Sequence, residues 1–259
     1  MKAFGKFNTA IDWTKEKMND FCYEVHTEKW QGKDIKNDDK FAMIEILNHS
    51  FTCTMVEDIP ELVEQIKPNL PWADDHFEER VGGKPLNPPP SHNWWPFAQK
   101  NNAEFGGTSK FSHTYPERMW PKYADDAKDP YKGIRFNYGD FNDVIDLMTK
   151  EPFTRQAFLP IWFPEDTGGA NGERVPCTIG YHFIRRHNYL HIVYYIRSCD
   201  FFRHFRDDIY LACRKVIWLL ERLREKDPDS WNDVKPGMYT MHITSLHAFK
   251  HEKMLLKKK

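Results

Sequence analysis

The sequence predicts a mixed α/β protein that folds as a single domain, residues 1–259. Segments with the two-residue alternation of β-strands and segments with the 3.6-residue spacing of α-helices follow one another along the chain. Hydrophobic residues make up 40% of the 259 residues and charged residues 29%, which is the composition of a globular protein and not of a disordered one. We find no internal repeat and no linker-like stretch, so nothing divides the chain into two domains.

The first half of the chain contributes few regular elements. Met1 to Lys40 is charged with scattered aromatic residues, and we expect a helix followed by loop. Phe41 to Thr54 alternates weakly between apolar and polar residues, which favours a strand. Asp58 to Lys67 and Asp140 to Thr149 carry apolar residues at helical spacing, so both are predicted as helices.

Between these helices lies a stretch rich in turn-forming residues, Pro71 to Lys122. It contains Gly82-Gly83, Pro88-Pro89-Pro90 and Gly106-Gly107 together with several tryptophans. Long loops inside a compact protein are usually functional or disordered, and the aromatic content argues against disorder. We therefore expect a loop-rich insertion that binds substrate or cofactor.

The second half predicts the main sheet. Ala157 to Phe163 and Thr178 to Arg185 are predicted strands, and Arg186-His187-Asn188 is predicted as the turn of a hairpin. The next strand, Tyr189 to Ile196, is apolar almost throughout, as expected for a strand buried on both faces.

A helix and a last strand complete the prediction. Asp208 to Leu223 has the apolar spacing of a long buried helix. Pro236-Gly237 is predicted to form a turn, and Met238 to Leu246 the final strand.

Charge and cysteine content exclude several classes of protein. The formal net charge is −1, and Lys257-Lys258-Lys259 is the only basic run, so we expect no nucleic-acid partner. Met1 to Asp20 lacks the apolar core of a signal peptide, and no run of residues is long and apolar enough for a membrane span. The 5 cysteines form no CxxC pair, which argues against a disulfide framework or a metal site and favours a reducing compartment, the cytoplasm.

A candidate nucleophile and a candidate anion site lie close together in the sequence. Cys177 follows Pro176 at the start of a strand, and a thiolate there would be stabilised by converging arginines, for which Arg155, Arg174 and Arg197 are available. The alternative is a buried structural cysteine. Arg197-Ser198 ends an apolar strand, where a charge is costly unless it meets an anion such as phosphate, or an ion-pair partner such as Asp200.

Four ordered motifs resemble the thymidylate synthase superfamily. They are Thr154-Arg155, Pro176-Cys177, Arg197-Ser198-Cys199-Asp200 and Ser245-Leu246-His247. The similarity extends from about Ile44 to Phe249, and Tyr115 and Trp120 resemble the tyrosine and tryptophan that follow the folate loop in this family. It implies a single domain with a large bent mixed sheet flanked by helices, which pairs sheet to sheet in a homodimer.

Within the superfamily the chain looks most like phage deoxycytidylate hydroxymethylases. Thr178 follows the nucleophile where synthases usually carry histidine, and Asp208 stands where synthases keep the asparagine that reads uracil. An amide suits uracil, whereas a carboxylate accepts from the C4 amino group of cytosine and from a protonated N3. Asp207 and Asp208 also have a simpler interpretation, since acidic residues are favoured at the start of a helix.

The resemblance assigns a role to each matching residue and implies 5,10-methylenetetrahydrofolate as the one-carbon donor. Cys177 would add to C6 of the pyrimidine, and Asp208 would recognise the base. The phosphate would be held by Arg197, Ser198 and the partner's Arg155, the sugar by His247, and the folate by Asp200 and Trp95, with Tyr115 near the thiol. Glu79 is the candidate for moving protons through water, although the sequence does not separate it from Glu78.

The sequence departs from the family pattern at three places. Gln156 replaces a second phosphate arginine, Phe249 replaces a tyrosine that meets the sugar, and the segment that closes synthases over folate looks truncated, so the loop Pro88 to Gly107 is expected to close instead. The expected activity is C5 hydroxymethylation of dCMP, in the host cytoplasm if the gene is from a phage. The alternatives are a methyltransferase that produces dihydrofolate and a nucleotide-binding homologue without turnover.

Overall fold

A computed structural model of the chain describes residues 1–30, 33–36, 38–96, 111, 113–121, 139–168 and 175–257. The strands are β1 (Lys2–Phe4), β2 (Tyr23–Val25), β3 (Lys29–Trp30), β4 (Lys33–Asp34), β5 (Met43–Thr54), β6 (Phe158–Pro160), β7 (Thr178–Arg186), β8 (Tyr189–Asp200) and β9 (Lys235–Phe249). The helices are α1 (Phe7–Phe21), α2 (Ile59–Ile66), α3 (Trp72–Val81), α4 (Tyr115–Met119), α5 (Phe141–Lys150), α6 (Pro164–Gly168), α7 (Phe205–Lys226), α8 (Pro228–Trp231) and α9 (Lys253–Leu256).

Seven of the described strands form one mixed sheet in the order β1-β5-β9-β8-β7-β6, with β2 paired to β5. The pairs β5–β9, β7–β8 and β6–β7 are antiparallel, whereas β8–β9 and β1–β5 are parallel. Helices flank this sheet, so the predicted mixed α/β class is confirmed.

The core lies between one face of the sheet and the long helix α7. Along β8 the buried side chains alternate, and Ile192, Tyr194 and Ile196 point to the helix side. Helix α7 buries thirteen of its residues, among them Lys215. The strand alternation and the helical spacing read from the sequence both reflect this single buried interface.

The prediction that Tyr189 to Ile196 is buried on both faces is wrong for the single subunit. His191, Val193 and Tyr195 alternate with the buried residues and are partly exposed. Tyr195 stacks on His242 of β9 at a centroid distance of 5.3 Å, and Phe158 of β6 is 38% exposed beside them. The second face of the sheet is therefore aromatic but only half covered by the described residues.

Two further boundaries differ from the prediction. Pro236-Gly237 is not a turn but part of β9, where the pairing with β8 shifts by one residue. This bulge accommodates a proline, which cannot donate to the ladder, and a glycine, at which a Cβ atom would meet the His191 ring at 2.9 Å. The strand predicted at Ala157 to Phe163 is limited to β6, because the Ile161 and Trp162 amides both donate to the Ile179 carbonyl and end the regular pairing before α6 begins at Pro164.

The local signals at helix starts explain the correct predictions. Asp58 caps α2 by accepting from the Glu61 amide at 2.7 Å, and Asp140 forms a capping box with Asp143 at the start of α5. The segment Pro71 to Lys122, which we expect to be a loop-rich insertion, contains α3, α4 and a 3-10 turn, Pro90–Trp94, in its described part. Among the described residues, none of the helices is both long and apolar enough to cross a bilayer.

Candidate active site

Cys177 lies at the start of β7, next to the end of β8. The Arg197 amide donates to the Cys177 carbonyl at 2.9 Å. The Arg197 guanidinium donates to the carbonyls of Pro176 at 2.8 Å and Val175 at 3.1 Å. The fold thus brings the predicted nucleophile and the predicted phosphate arginine together, and the alternative ion pair of Arg197 with Asp200 is not formed. Arg174 lies outside the described residues.

A chain of hydroxyl groups begins beside Cys177. The amide and the hydroxyl of Thr178 each lie 3.4 Å from the Tyr115 hydroxyl, and the Thr178 hydroxyl is 2.9 Å from that of Tyr194. Burial raises the pKa of Tyr115, and negative charge on Cys177 raises it further. Tyr115 therefore stays protonated at neutral pH and can donate a hydrogen bond beside the thiol.

Asp208 occupies the first turn of α7 but does not cap it. The helix begins at Phe205, and its N-cap is His204. The neighbouring carboxylate has a structural role, since Asp207 accepts from the backbone and side-chain nitrogens of Asn69, both at 2.8 Å. Asp208 instead turns toward β8, where the Cys199 thiol donates to its Oδ2 at 3.6 Å.

The environment of Asp208 favours the neutral acid. Burial raises the pKa of its carboxyl to about 6, and the positive charge of Arg80 opposes this rise. The group is therefore poised to hold or release a proton close to neutral pH, which is typical of functional carboxyls more than of helix caps.

The two glutamates that the sequence does not separate have different surroundings. Glu78 is exposed and lies 3.5 Å from Arg214. Glu79 faces inward: its carboxylate accepts from the Ser91 amide at 2.5 Å and from the Ser91 hydroxyl. Burial raises the pKa of Glu79, and these hydrogen bonds to Ser91 oppose the rise. Only Glu79 is placed to exchange a proton inside the protein.

A buried histidine connects Glu79 to an arginine that the sequence analysis missed. Arg80 donates to His76 Nε2 at 2.8 Å, so this nitrogen must be the acceptor. His76 Nδ1 then carries the proton and donates to the Ser91 hydroxyl at 2.9 Å. The hydroxyl in turn donates to Glu79. Burial lowers the pKa of His76 well below its ordinary value, in agreement with this neutral tautomer.

The signal for these residues was present in the sequence. The residues Trp72, Ala73, His76, Phe77, Arg80 and Val81 follow the spacing of one helix face, and all six are buried. Two polar residues on an otherwise apolar helical stripe are the mark of a buried polar network.

Trp95, the predicted folate tryptophan, lies between the start of α7, which carries Asp208, and helix α3, which carries His76. Trp95 stacks on His204 at a centroid distance of 4.9 Å and packs against Trp72 at 6.2 Å. Trp72 stacks on His76, and the Asp208 amide donates to the His204 carbonyl at 2.7 Å. An aromatic layer therefore joins the start of α7 to α3.

Strand pairing places the predicted sugar and pterin residues side by side. Asp200 of β8 is paired with His247 of β9, and Ser198 with Ser245. Asp200 already accepts from the Phe202 and Arg203 amides, each at 3.0 Å, and from the Arg203 guanidinium at 3.1 Å.

Arg203 also connects Asp200 to residues at and just beyond the end of β9. Its guanidinium pairs with Glu252 at 2.7 Å and lies over the Phe249 ring at 4.8 Å. Arg155 has a different position: it is exposed, and its carbonyl accepts from His182 on the half-covered sheet face. Most of the predicted closing loop, Pro88 to Gly107, lies outside the described residues.

The described part of the chain offers no group of three His, Cys, Asp or Glu side chains that could hold a metal ion. All five cysteines are free thiols.

The comparisons with known proteins add no assignment. The chain matches no protein-family model, and it matches no curated protein. The resemblance to thymidylate synthases therefore rests on the quoted motifs alone and stays a prediction.

Proposed function

We propose that this protein is a folate-dependent enzyme that transfers a hydroxymethyl group to C5 of dCMP. The observation that carries the proposal is the grouping of Cys177 and Arg197 with Tyr115, and of Asp208 with the Cys199 thiol one strand away. These residues come from two neighbouring strands, β7 and β8, and from two helices, α4 and α7. They supply a nucleophile, an anion-binding cation, a proton donor and a base-reading carboxyl.

In the proposed reaction the Cys177 thiolate adds to C6 of the ring, and C5 gains nucleophilic character. When bound, 5,10-methylenetetrahydrofolate would supply the methylene carbon to which C5 bonds as C5 loses its proton, and would leave as tetrahydrofolate. Water would then add to the methylene carbon left on C5. Expulsion of Cys177 restores the aromatic ring with a hydroxymethyl substituent.

The choice of cytosine rests on one shared proton. Neutral cytosine presents an acceptor at N3 and a donor at its C4 amino group. A carboxyl group complements this edge only if the pair holds one proton, either on Asp208 or on N3. A carboxyl with a pKa of about 6 supplies that proton at little cost, whereas an ordinary aspartate would not.

Two groups of residues fit the folate side of the site. The aromatic faces of Trp95 and His204 suit stacking against a flat pterin. Glu79, at the end of the hydrogen bonds from His76 and Ser91, fits the transfer of protons through water. Asp200 fits its assigned role less well, because neighbouring amides and Arg203 already occupy its oxygens.

A homodimer formed through the half-covered sheet face is part of the proposal. That face exposes aromatic side chains, and exposed Arg155 lies at its edge. Mixing inactive Arg155→Ala and Cys177→Ala proteins tests this directly. Heterodimers would contain one intact site, so activity should return after subunit exchange. If Arg155 acts within its own subunit, mixing will restore nothing.

Release of tritium from C5 of labelled dCMP tests the covalent chemistry. Cys177→Ala should abolish the release, whereas Cys22→Ala, which alters another free and partly exposed cysteine, should leave it unchanged. Release that persists in Cys177→Ala would refute the nucleophile. A wild-type protein that binds dCMP without any release would instead support a nucleotide-binding homologue.

A further inference from the structure

Arg80 is a buried cation to which the described residues offer no ionic partner. It is 4% exposed, and within the described part of the chain no carboxylate lies at ion-pairing distance from its guanidinium. The guanidinium lies over the Tyr115 ring at 4.1 Å and donates to neutral His76. Its Nε has no hydrogen-bond partner among the described residues. A buried, unpaired charge lowers the stability of the folded protein, and its presence indicates a role in acting on neighbouring groups.

We propose that Arg80 is a positioning residue that sets, through its charge, how readily Asp208 holds the proton shared with the base. Arg80 lies on α3 over the Tyr115 ring, and Asp208 lies on α7, a helix that packs against α3. The charges of both residues act on Tyr115. Solvent screens a charge weakly in such a site, so a cation acts on a carboxyl there without direct contact.

The other groups around Asp208 do not replace Arg80. Among the described residues, the titratable and charged side chains whose charges act on the buried cluster around Asp208 and Tyr115 are Arg80, Tyr115, Cys177, Tyr181, Tyr194, Cys199, Asp200, Asp207, Cys213, Lys215 and Tyr239. Neutral His76 contacts Arg80 as well. Burial raises the pKa of the four tyrosines and of the Cys199 and Cys213 thiols, so these groups are neutral at pH 7, whereas Asp200 and Asp207 are anionic when ionised. Burial lowers the pKa of Lys215 well below its ordinary value, whereas arginine keeps its charge. Arg80 is therefore the permanent cation in this group.

The proposal has a definite sign. Burial alone drives the Asp208 carboxyl toward the neutral acid, and Arg80 opposes this effect. Removal of the charge should move the titration of Asp208 upward. A protein without it would keep the shared proton at higher pH and would bind dCMP over a wider alkaline range, but it would release the proton less readily.

Titration of the Asp208 carboxyl tests the proposal without any assumption about activity. With aspartate labelled by ¹³C at the carboxyl carbon, Asp208→Asn identifies the resonance, and the wild type should titrate at about 6. In Arg80→Met the midpoint should rise by about one unit or more. If Arg80→Met does not fold, Arg80→Gln serves as the neutral variant. The control is Arg214→Met, which removes another partly buried arginine, paired with Asp74, and should not shift the midpoint.

Binding of dCMP as a function of pH measures the consequence and rests on the proposed function. If the complex keeps the shared proton, the rise in the dissociation constant from about pH 6 to about pH 8 should be roughly fivefold smaller in Arg80→Met than in the wild type. Titration of the dCMP phosphate is common to both proteins. An unchanged Asp208 midpoint in the neutral variant overturns the role of Arg80. A shifted midpoint with an unchanged binding profile leaves that role intact and refutes cytosine recognition by Asp208.

Discussion

Replacing Asp208 by asparagine should stabilise the free protein at neutral pH and weaken its preference for cytosine. The carboxyl has a pKa of about 6 in the folded protein and of 3.8 as the ordinary value. Below 3.8 both the folded and the unfolded states hold the proton. Between 3.8 and 6 only the folded state holds it, so the free energy of unfolding falls as the pH rises through this window. Above 6 both states are ionised, and the cost stays constant.

The magnitude follows from the two values. A difference of about 2 units corresponds to a cost of about 3 kcal/mol at full ionisation, of which about 1 kcal/mol is already present at about pH 4.5. The asparagine variant carries no charge and escapes this cost. The stability advantage of Asp208→Asn over the wild type should therefore grow by about 2 kcal/mol between about pH 4.5 and about pH 7.5.

Urea unfolding followed by tryptophan fluorescence at both pH values measures this change, and the remaining titrations cancel in the difference between the two proteins. The same variant should prefer dUMP to dCMP, because an amide complements uracil. A stability difference that does not vary with pH would refute the raised pKa of Asp208, and with it the shared-proton argument. An unchanged base preference would leave Asp208 as a residue of the first helical turn only.

Three other substitutions have expected outcomes. Glu79→Gln should lower turnover on the order of 100-fold in a steady-state assay, whereas Glu78→Gln, at an exposed position, should leave it near the wild-type value. Equal losses would contradict the assignment of proton transfer to Glu79. Tyr115→Phe should slow tritium release roughly 10-fold or more, since a proton donor is removed; an unchanged rate would exclude that role. The same change should lower urea stability by no more than about 1–3 kcal/mol, since the buried Thr178 amide loses its acceptor. Arg118→Met breaks a buried bidentate ion pair with Asp166 and should lower the free energy of unfolding in urea by about 3–5 kcal/mol. Lys226→Met breaks an exposed ion pair and should lower it by less than about 1 kcal/mol. Similar losses in the two variants would refute the burial argument.

Local periodicity accounts for the parts of the fold that were predicted from the sequence. The helix starts at Asp58 and Asp140 and the alternation of β8 depend on residues close together in the chain. The half-covered face of β8 was not predicted, because an apolar run looks the same whether its second face meets its own subunit or another chain. The sequence Pro236-Gly237 predicts a turn where the structure has a bulge, since both conformations favour the same residues.

The candidate site was predicted in part. Cys177 and Arg197 are close together in the structure, as the motifs predict, because Cys177 directly precedes β7 and Arg197 lies on β8, its paired strand. Arg80 and His76 were missed because a charged run on a helix usually faces solvent, and only tertiary packing buries it. The separation of Glu78 from Glu79 also depends on which helix face meets the core, which two adjacent glutamates do not reveal.

The most direct measurement for the proposed activity is turnover of dCMP, CMP and dUMP with 5,10-methylenetetrahydrofolate, with mass analysis of the nucleotide product and absorbance detection of dihydrofolate. We expect 5-hydroxymethyl-dCMP to form from dCMP in preference to the other two nucleotides, without dihydrofolate. Formation of a methylated nucleotide together with dihydrofolate would contradict hydroxymethyl transfer and identify a methyltransferase. No product from any of the three nucleotides would contradict the enzymatic role itself.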